Sequence, residues 1–289
     1  MKRSPADVTI DVLLYLFLAG VAFAMLFPFV FVLGNSLLTV EEYLQPGMKI
    51  WPRQGMTLDA YRGLLTSPTI YNSYRNTIFL VGAGTAVSLF ITAITAFAIS
   101  REQMKGANGL TLVFVITMLI QGGLVPNYLV VRSLGLINSL WAMILPVAVN
   151  TFFLIILKSF FANVPKSLEE SAYMDGANEV YIFFRIFVPL SVPALVTIGL
   201  FYGVNYWNSF FLGILYLTDR RKWPLQLVLR DILIESEIGD TGAGGHYADR
   251  MSHALKMATI IVAVVPIACI YPFLQKYFSK GILIGAVKG

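Results

Sequence analysis

The sequence has 289 residues, of which 57% are hydrophobic and only 13% are charged. Soluble domains carry about 25% charged residues, so this composition excludes an ordinary soluble protein and indicates a membrane protein. The 21 basic and 16 acidic residues give a formal net charge of +5, which suits a protein beside anionic lipid and does not indicate a nucleic-acid partner.

Six long segments of the chain contain no Asp, Glu, Lys or Arg. They are 12–40, 76–100, 106–131, 133–157, 186–218 and 257–275. A helix needs about 20 mostly apolar residues to cross the hydrocarbon core of a bilayer, and each segment supplies them. A charge at the centre of a span costs roughly 2.5–3.5 kcal/mol on insertion scales, which accounts for the missing charges. We therefore predict an all-α membrane protein with six transmembrane helices. The even number places both termini on the same side.

The first apolar segment follows Met1, Lys2 and Arg3, which is also how a signal peptide begins. The segment is longer than a signal-peptide core and has no clear small-residue cleavage site, so we expect a retained first span. The polar stretch 38–75 follows it and contains Trp51, a residue type suited to a membrane interface. We expect this stretch to form the loop between the first two spans.

The second span contains Gly82 and Ala86, four residues apart. Small residues at this spacing let helices approach closely in lipid, so the pair predicts a packing seam. A phosphate-binding loop is the alternative interpretation, but such a loop needs Gly-Lys-Ser/Thr after its glycines. The sequence contains no such tripeptide, and we therefore do not expect this chain to bind ATP in that way.

The segment 164–186, between the fourth and fifth spans, has the pattern of a short helix with a defined start and end. Ser167 is followed three residues later by Glu170, the spacing of a capping box, which predicts a helix that begins at Leu168. Gly176 predicts the end of that helix, because glycine readily takes the left-handed conformation that closes a helix.

A second helix is predicted from Asn178 into the fifth span, where Pro189 and Pro193 can kink it. The two helices then form a helix-turn-helix on the membrane surface that presents Tyr173 and Met174. Two exposed apolar side chains beside charged residues suit docking into a groove on another protein. An ordinary connecting loop is the alternative interpretation of this segment.

The spacing of residues in this segment matches a longer pattern. The matching positions are Glu170, Ala172, Gly176, Ile186 and Pro189. The segment resembles the cytoplasmic coupling loop of binding-protein-dependent ABC permeases, whose pattern is Glu-Ala-Ala, three residues, Gly, nine residues, Ile, one residue, Leu-Pro. Ser171 and Val188 depart from the pattern, and both are small or apolar replacements that preserve helix packing.

Three further segments resemble the carbohydrate-uptake branch of these permeases, and are similar to one of the two permease chains of maltose importers. They are 134–139, 207–211 and 280–289. The resemblance implies a type I ABC importer permease fold with both termini cytoplasmic, in a bacterial cytoplasmic (inner) membrane. It also implies residues 1–70 as first helix and external loop, 71–278 as a five-helix core with the coupling loop at 164–186, and 279–289 as a cytoplasmic tail.

The same resemblance implies the partners and the coupling residues. The partners are a second permease subunit that is a different chain, two ATPase subunits that bind ATP and Mg, an external solute-binding protein, membrane lipid and a carbohydrate. No cofactor is expected in this chain. The residues expected to contact the ATPase are Glu170, Ser171, Ala172, Tyr173, Met174, Asp175 and Gly176.

The sequence also bears on the source of energy for transport. Ion-coupled carriers place ionisable residues inside the membrane, and the centres of the six predicted spans have none. An ion-coupled secondary transporter of a small polar solute is therefore the less favoured alternative. A membrane-embedded enzyme would need clustered His, Asp or Glu in the spans, and an exporter would not carry the importer coupling pattern.

The predicted contacts with substrate lie late in the fifth span. Tyr202, Asn205, Trp207 and Asn208 combine aromatic faces with amides, a mixture suited to sugar rings. Their spacing spreads them over more than one helix face, so we do not expect all four to line one pore. Helix packing and an interfacial aromatic belt are the alternative interpretation, and Asn150 in the fourth span is a similar case.

The long polar loop 219–250 separates the fifth and sixth spans. It faces outward in the implied orientation and is expected to help dock the solute-binding protein. His246, Asp249 and His253 have a spacing that could ligate a metal on one helical face, but we interpret them as part of a solvated loop and predict no metal site. The single cysteine, Cys269, cannot form an internal disulfide.

Overall fold

The computed structural model describes residues 5–43, 45–101, 103–120, 122–240, 253–270 and 272. These residues are helical or irregular, with one isolated β-bridge between Leu38 and Met56. They divide into two compact units, one drawn from Met1–Ser67 with Leu229–Val265 and the other from Pro68–Val228 with Pro266–Gly289.

Three of the helices are long and apolar enough to cross a membrane without a break. They are α1 (Pro5–Ser36), α4 (Pro68–Ser100) and α14 (His253–Ile270). Between α1 and α4 lie two short helices, α2 (Val40–Tyr43) and α3 (Asp59–Thr66).

Three bent pairs of helical pieces also pass the test of length and apolar composition, each as a broken span or a re-entrant loop. The pairs are α5 (Ala107–Leu119) with α6 (Leu124–Ser133), the 3₁₀ turns Leu140–Met143 and Leu145–Val147 with α7 (Thr151–Ala162), and a segment Glu179–Leu190 with α11 (Val192–Trp207). The bends measure 117°, 54° and 84° in that order. The described residues thus hold three to six candidate spans, and the number reaches the predicted six if each bent pair is one span.

The segment Glu179–Leu190 consists of α9 (Glu179–Ile182), a π-helical turn (Phe183–Phe187) and α10 (Val188–Leu190). The elements outside the long helices and bent pairs are α8 (Lys166–Met174), α12 (Phe211–Tyr216), the 3₁₀ turn Arg220–Lys222 and α13 (Leu225–Asp240).

In the first unit, the loop after α1 is fixed by a buried carboxylate. Glu42 accepts hydrogen bonds from the backbone N–H groups of Arg53 (2.7 Å) and Gln54 (3.0 Å). The backbone N–H groups of Gln54 and Arg53 hold the pKa of the Glu42 carboxyl below its usual value, with a smaller contribution from the Lys49 charge. The loop is therefore held in place by the ionised form of Glu42.

In the second unit, α4 lies at the centre and packs against α11. Gly84 permits this contact, because a Cβ at that position would lie 2.7 Å from the ring of Tyr206. The predicted seam of Gly82 and Ala86 is wrong: both are exposed, and a Cβ on Gly82 would meet nothing within 4 Å. The seam runs along the neighbouring face of α4, because the bulk of Tyr206 requires a glycine directly opposite it.

Hydroxyl groups extend this seam toward the break in the fourth span. The Tyr206 hydroxyl lies 2.8 Å from Ser88 Oγ, and the Tyr202 hydroxyl lies 2.8 Å from Thr92 Oγ1. The Tyr202 hydroxyl also accepts a hydrogen bond from the backbone N–H of Asn150 at 2.9 Å. A backbone group freed by a helix break inside a membrane needs such a partner, so α11 stabilises the bend before α7.

Candidate functional site

The candidate site is the surface helix α8 with the turn that follows it. The helix begins at Lys166 with Pro165 as its N-cap and without a side-chain cap. The predicted capping box at Ser167 is therefore wrong, and the helix begins two residues before Leu168. Ser167 already has a helical position inside the first turn, so its hydroxyl cannot cap that turn from outside.

The end of α8 is as predicted. Gly176 has a φ of +79°, in the left-handed region. Its N–H donates to the carbonyl of Tyr173, and the N–H of Ala177 donates to the carbonyl of Ala172, both at 2.9 Å. This pair of bonds is a Schellman motif. Asn178 then caps the next helix, because its side-chain oxygen accepts the Tyr181 N–H at 2.8 Å.

The two faces of α8 have different surroundings. Glu169, Ala172 and Tyr173, at the i, i+3, i+4 spacing of one helix face, point inward. Met174 and Leu168 point outward, with 88% and 44% of their surface exposed. The residues around them that are also exposed are Glu170, Ser171, Asp175 and Gly176. The prediction that Tyr173 is presented to a partner is wrong, since it is half-buried, and Leu168 takes its place.

Arg101, directly after α4, anchors this inward face. Its side chain is only 9% exposed and donates to the Glu169 carboxylate, the Tyr173 hydroxyl and the Glu179 carboxylate. The guanidinium also lies over the rings of Phe97 and Tyr173, at 5.1 and 5.6 Å from their centroids. The Tyr173 hydroxyl donates to Glu179 at 2.5 Å. Arg101 therefore joins the C-terminal end of α4 to both helices of the turn.

Sequence reasoning missed Arg101, Glu169 and Glu179 as functional residues. The one available signal was local, namely that Glu169 and Tyr173 share a helix face four residues apart. Nothing local indicates which face meets the rest of the protein, because the partner is Arg101, 72 residues before Tyr173.

The predicted kink at the start of the fifth span is present. The bend of 84° lies between α10 and α11, at Ser191, with Pro189 and Pro193 on either side. The π-helical turn before it is packed against α4, where the ring centroids of Phe187 and Phe97 are 4.8 Å apart. The surface helix is thus connected to the core through tightly packed aromatic rings.

An open cleft of about 740 Å³ lies between α8 and the segment Glu179–Leu190. Leu168 and Ile186 supply apolar surface to it, while Asp175 and Arg185 supply both signs of charge. The candidate site thus combines an exposed helix face and an adjoining groove, both held by contacts on their inner side.

At the opposite end of the second unit, the turn after α12 is bound to the segment before the fourth span. Asn138 has a φ of +62° and accepts hydrogen bonds from the Asp219 N–H (3.1 Å) and the Lys222 side chain (2.7 Å). A side-chain hydrogen bond from Arg221 is the main cause that holds the pKa of Asp219 below its usual value. These contacts give the segment 134–139 a fixed shape.

The four predicted substrate contacts do not come together. Tyr202 and Trp207 are buried in the packed interior, whereas Asn205 and Asn208 are exposed. The Asn208 amide donates to the Val204 carbonyl at 2.9 Å. The four side chains do not share one surface of this chain, and the Tyr202 hydroxyl bonds to Thr92 Oγ1 and to the Asn150 N–H. His246, Asp249 and the tail 279–289 lie outside the described residues.

These features define a polytopic helical membrane protein with a surface helix whose inner face is bound to the chain and whose outer face is exposed. Comparison with known proteins identifies the family of this chain. A family model described as "Binding-protein-dependent transport system inner membrane component" matches residues 1–284, and the chain belongs to this family. It is therefore a multi-pass inner-membrane permease subunit, and in such importers ATP is hydrolysed by a separate ATPase.

Similar proteins agree with this assignment. The chain is 47% identical over 281 residues to the polygalacturonan/rhamnogalacturonan transport system permease protein YtcP of Bacillus subtilis, covering 96% of this chain and 98% of the relative. It is 29% identical to the trehalose/maltose transport system permease protein MalG of Thermococcus litoralis, covering 93% of each.

A solved structure is also similar. A chain of a bacterial ABC transporter involved in the import of the acidic polysaccharide alginate matches with a TM-score of 0.87 and 27% identity, covering 96% of this chain and 99% of that chain. The predicted family and permease fold are confirmed.

Proposed function

We propose that this chain forms, with a second and different permease chain, the membrane path of an ATP-driven importer for acidic oligo- or polysaccharides. The chemistry named for its relatives supports this substrate class, since polygalacturonan and alginate are both chains of uronic acids. An external solute-binding protein delivers the carbohydrate, and two ATPase subunits bind ATP and Mg²⁺. Both termini lie in the cytoplasm.

We infer further that α8 is the contact with the ATPase. The observation that carries this inference is the division of its two faces: the inner face is bound through Arg101, while the outer face exposes Met174 and Leu168 beside Glu170. Because the inner face is bound to the rest of the chain, a displacement of the outer face by the ATPase moves α8 and the following turn together. The residues proposed for this contact are Glu170, Ser171, Met174, Asp175 and Gly176, whereas Ala172 and Tyr173 hold the inner face of α8.

Gly176 provides a sharp test of this role. A Cβ there would meet nothing within 4 Å, so a substitution changes the backbone conformation and no packing inside this chain. A left-handed φ costs a residue with a side chain about 1–2 kcal/mol, and the cost is higher for β-branched residues. Gly176→Val should abolish carbohydrate uptake while the transporter still inserts and assembles. Gly176→Asn is the matched control, because Asn tolerates this conformation.

The measurement is uptake of a galacturonate trisaccharide by proteoliposomes that contain the complete transporter and its binding protein. Normal uptake by the valine variant would refute the assignment of the turn. Sidedness is tested with Met174→Cys in a Cys269→Ala background. In vesicles without the ATPase subunits, which would otherwise cover this position, an impermeant maleimide should label the cysteine when the vesicles are inside-out and not when they are right-side-out. The opposite result would place α8 outside the cell.

A further inference from the structure

The third and fourth spans touch each other where each is broken. Thr117 lies near the end of α5, and Thr151 is the first residue of α7. Their hydroxyl oxygens are 3.3 Å apart. Asn150 precedes Thr151 and caps α7 with its side-chain oxygen, which accepts the N–H groups of Phe152 and Phe153 at 3.0 and 3.3 Å.

The helix lengths place this junction near the middle of a bilayer when the start of α5 and the end of α7 are taken as one membrane surface. Thr117 is about three turns into α5, roughly 15 Å from the start of that helix. Helix α7 has 12 residues, so Thr151 lies about 17 Å from its other end. Both distances are measured from the same side, and a hydrocarbon core is about 30 Å thick. The breaks in the third and fourth spans and the side chains of Thr117, Asn150 and Thr151 therefore lie at the same depth in the membrane.

The junction is exposed in this chain. Thr117, Asn150 and the break residues Gly122 and Gly123 are exposed, and Thr151 is half-buried. The Asn150 side-chain nitrogen has no hydrogen-bond partner among the residues that the structure describes. An unpaired amide in hydrocarbon costs several kcal/mol, and irregular backbone at membrane depth is tolerated only against protein or in a water-filled cavity. The junction therefore does not face lipid.

We propose that Thr117, Asn150 and Thr151 line the carbohydrate path at the membrane midplane. The Thr117 hydroxyl donates to the Phe114 carbonyl at 2.6 Å and offers an acceptor to sugar hydroxyls. The Asn150 NH2 group offers donors, the Thr151 hydroxyl can act as either, and the exposed ring of Phe152 adds an apolar face beside them. Small neutral side chains bind a sugar weakly, and weak binding lets the sugar leave and continue along the path. This proposal rests on the proposed function and places the path on different residues from those predicted in the fifth span.

Cysteine labelling tests the location. Thr117→Cys, Asn150→Cys and Thr151→Cys are made singly in a Cys269→Ala background, in the complete transporter in proteoliposomes, and treated with a positively charged methanethiosulfonate. Only a thiolate reacts, so a thiol in lipid or in packed protein is protected. We expect labelling whose rate differs severalfold between the nucleotide-free and vanadate-trapped states. Ala93→Cys, at a buried position of α4, is the unreactive control.

No labelling in either state would overturn the proposal, because the junction would then lie against lipid or the partner permease. An equal rate in the two states would also overturn it, since a transport path must change its accessibility. Labelling does not depend on the solute. If the junction is labelled but the transporter takes up no galacturonate trisaccharide, the proposed substrate class is wrong and the proposed path stands.

A second pair of variants tests contact with sugar. Thr117→Val keeps the shape of the side chain and removes its hydroxyl, and it should lower trisaccharide uptake severalfold with binding-protein-stimulated ATP hydrolysis unchanged. Thr95→Val is the matched control, since both hydroxyls donate to a carbonyl of their own helix, Thr95 to Ile91 and Thr117 to Phe114. Equal uptake by both variants would contradict a contact between Thr117 and sugar.

Discussion

Replacing Arg101 with alanine is expected to release α8 from the core. The bond to Glu169 joins side chains that are 9% and 14% exposed, so a charge-assisted bond of about 1.5–3 kcal/mol is lost. Glu179 is 58% exposed, and its bond contributes only about 0.5 kcal/mol. With the Tyr173 bond, at about 0.5–1 kcal/mol, the loss is about 3 kcal/mol. Each 1.4 kcal/mol is tenfold in an equilibrium, so the population with α8 undocked rises about 100-fold.

Two measurements on the complete transporter report this release. Hydrogen exchange of the backbone amides in 166–178 should accelerate, and the number of sugars moved per ATP hydrolysed should fall. Arg101→Lys should give an intermediate result, because a single ammonium cannot reach the Glu169 and Glu179 acceptors as a planar guanidinium does. Arg62→Ala is the control. Its ion pair with Asp59, 3.6 Å long with both side chains 78% exposed, contributes little.

The reasoning would be refuted if the alanine variant kept both the slow exchange of α8 and the normal ratio of transport to hydrolysis. Slow exchange with a reduced ratio would mean that Arg101 acts on the ATPase contact directly and does not position the helix.

Three further outcomes follow from packing and charge. Gly84→Ala should destabilise the protein by about 1–3 kcal/mol because its Cβ meets the Tyr206 ring, with a lower melting temperature in detergent, whereas Gly82→Ala should not. Tyr202→Phe should cost about 1–3 kcal/mol by leaving a backbone N–H unpaired, and it should leave sugar selectivity unchanged; a changed selectivity with an unchanged melting temperature would favour a sugar contact. The pKa of Glu42 is lowered in the folded protein, so its stabilisation of the first loop is present above the unfolded value of about 4.3 and is lost as the pH falls through the folded value. Pepsin should then cleave this loop faster as the pH falls, and Glu42→Gln should remove that dependence.

Several features of this protein follow from its sequence because they depend on local chemistry. The six charge-free segments indicate where the chain can cross a bilayer, since a charge at a helix centre costs roughly 2.5–3.5 kcal/mol and each segment is long enough to span without one. Gly176 ends α8 because its left-handed conformation excludes most other residues. The kink between Pro189 and Pro193 is equally local, since proline removes a helical hydrogen bond.

Other features were decided only when distant segments came together. The sequence shows that α8 is amphipathic, but the inward direction of Tyr173 depends on Arg101, which lies 72 positions earlier. Small residues occur on two faces of α4, and only the bulk of Tyr206 selects Gly84 over Gly82 as the close contact. Tyr202 is a residue type suited to sugar contacts, yet its hydroxyl bonds to the backbone N–H of Asn150 at the break before α7. A local pattern specifies what a side chain can do, whereas its actual partner depends on which surfaces pack, and that is a property of the whole chain.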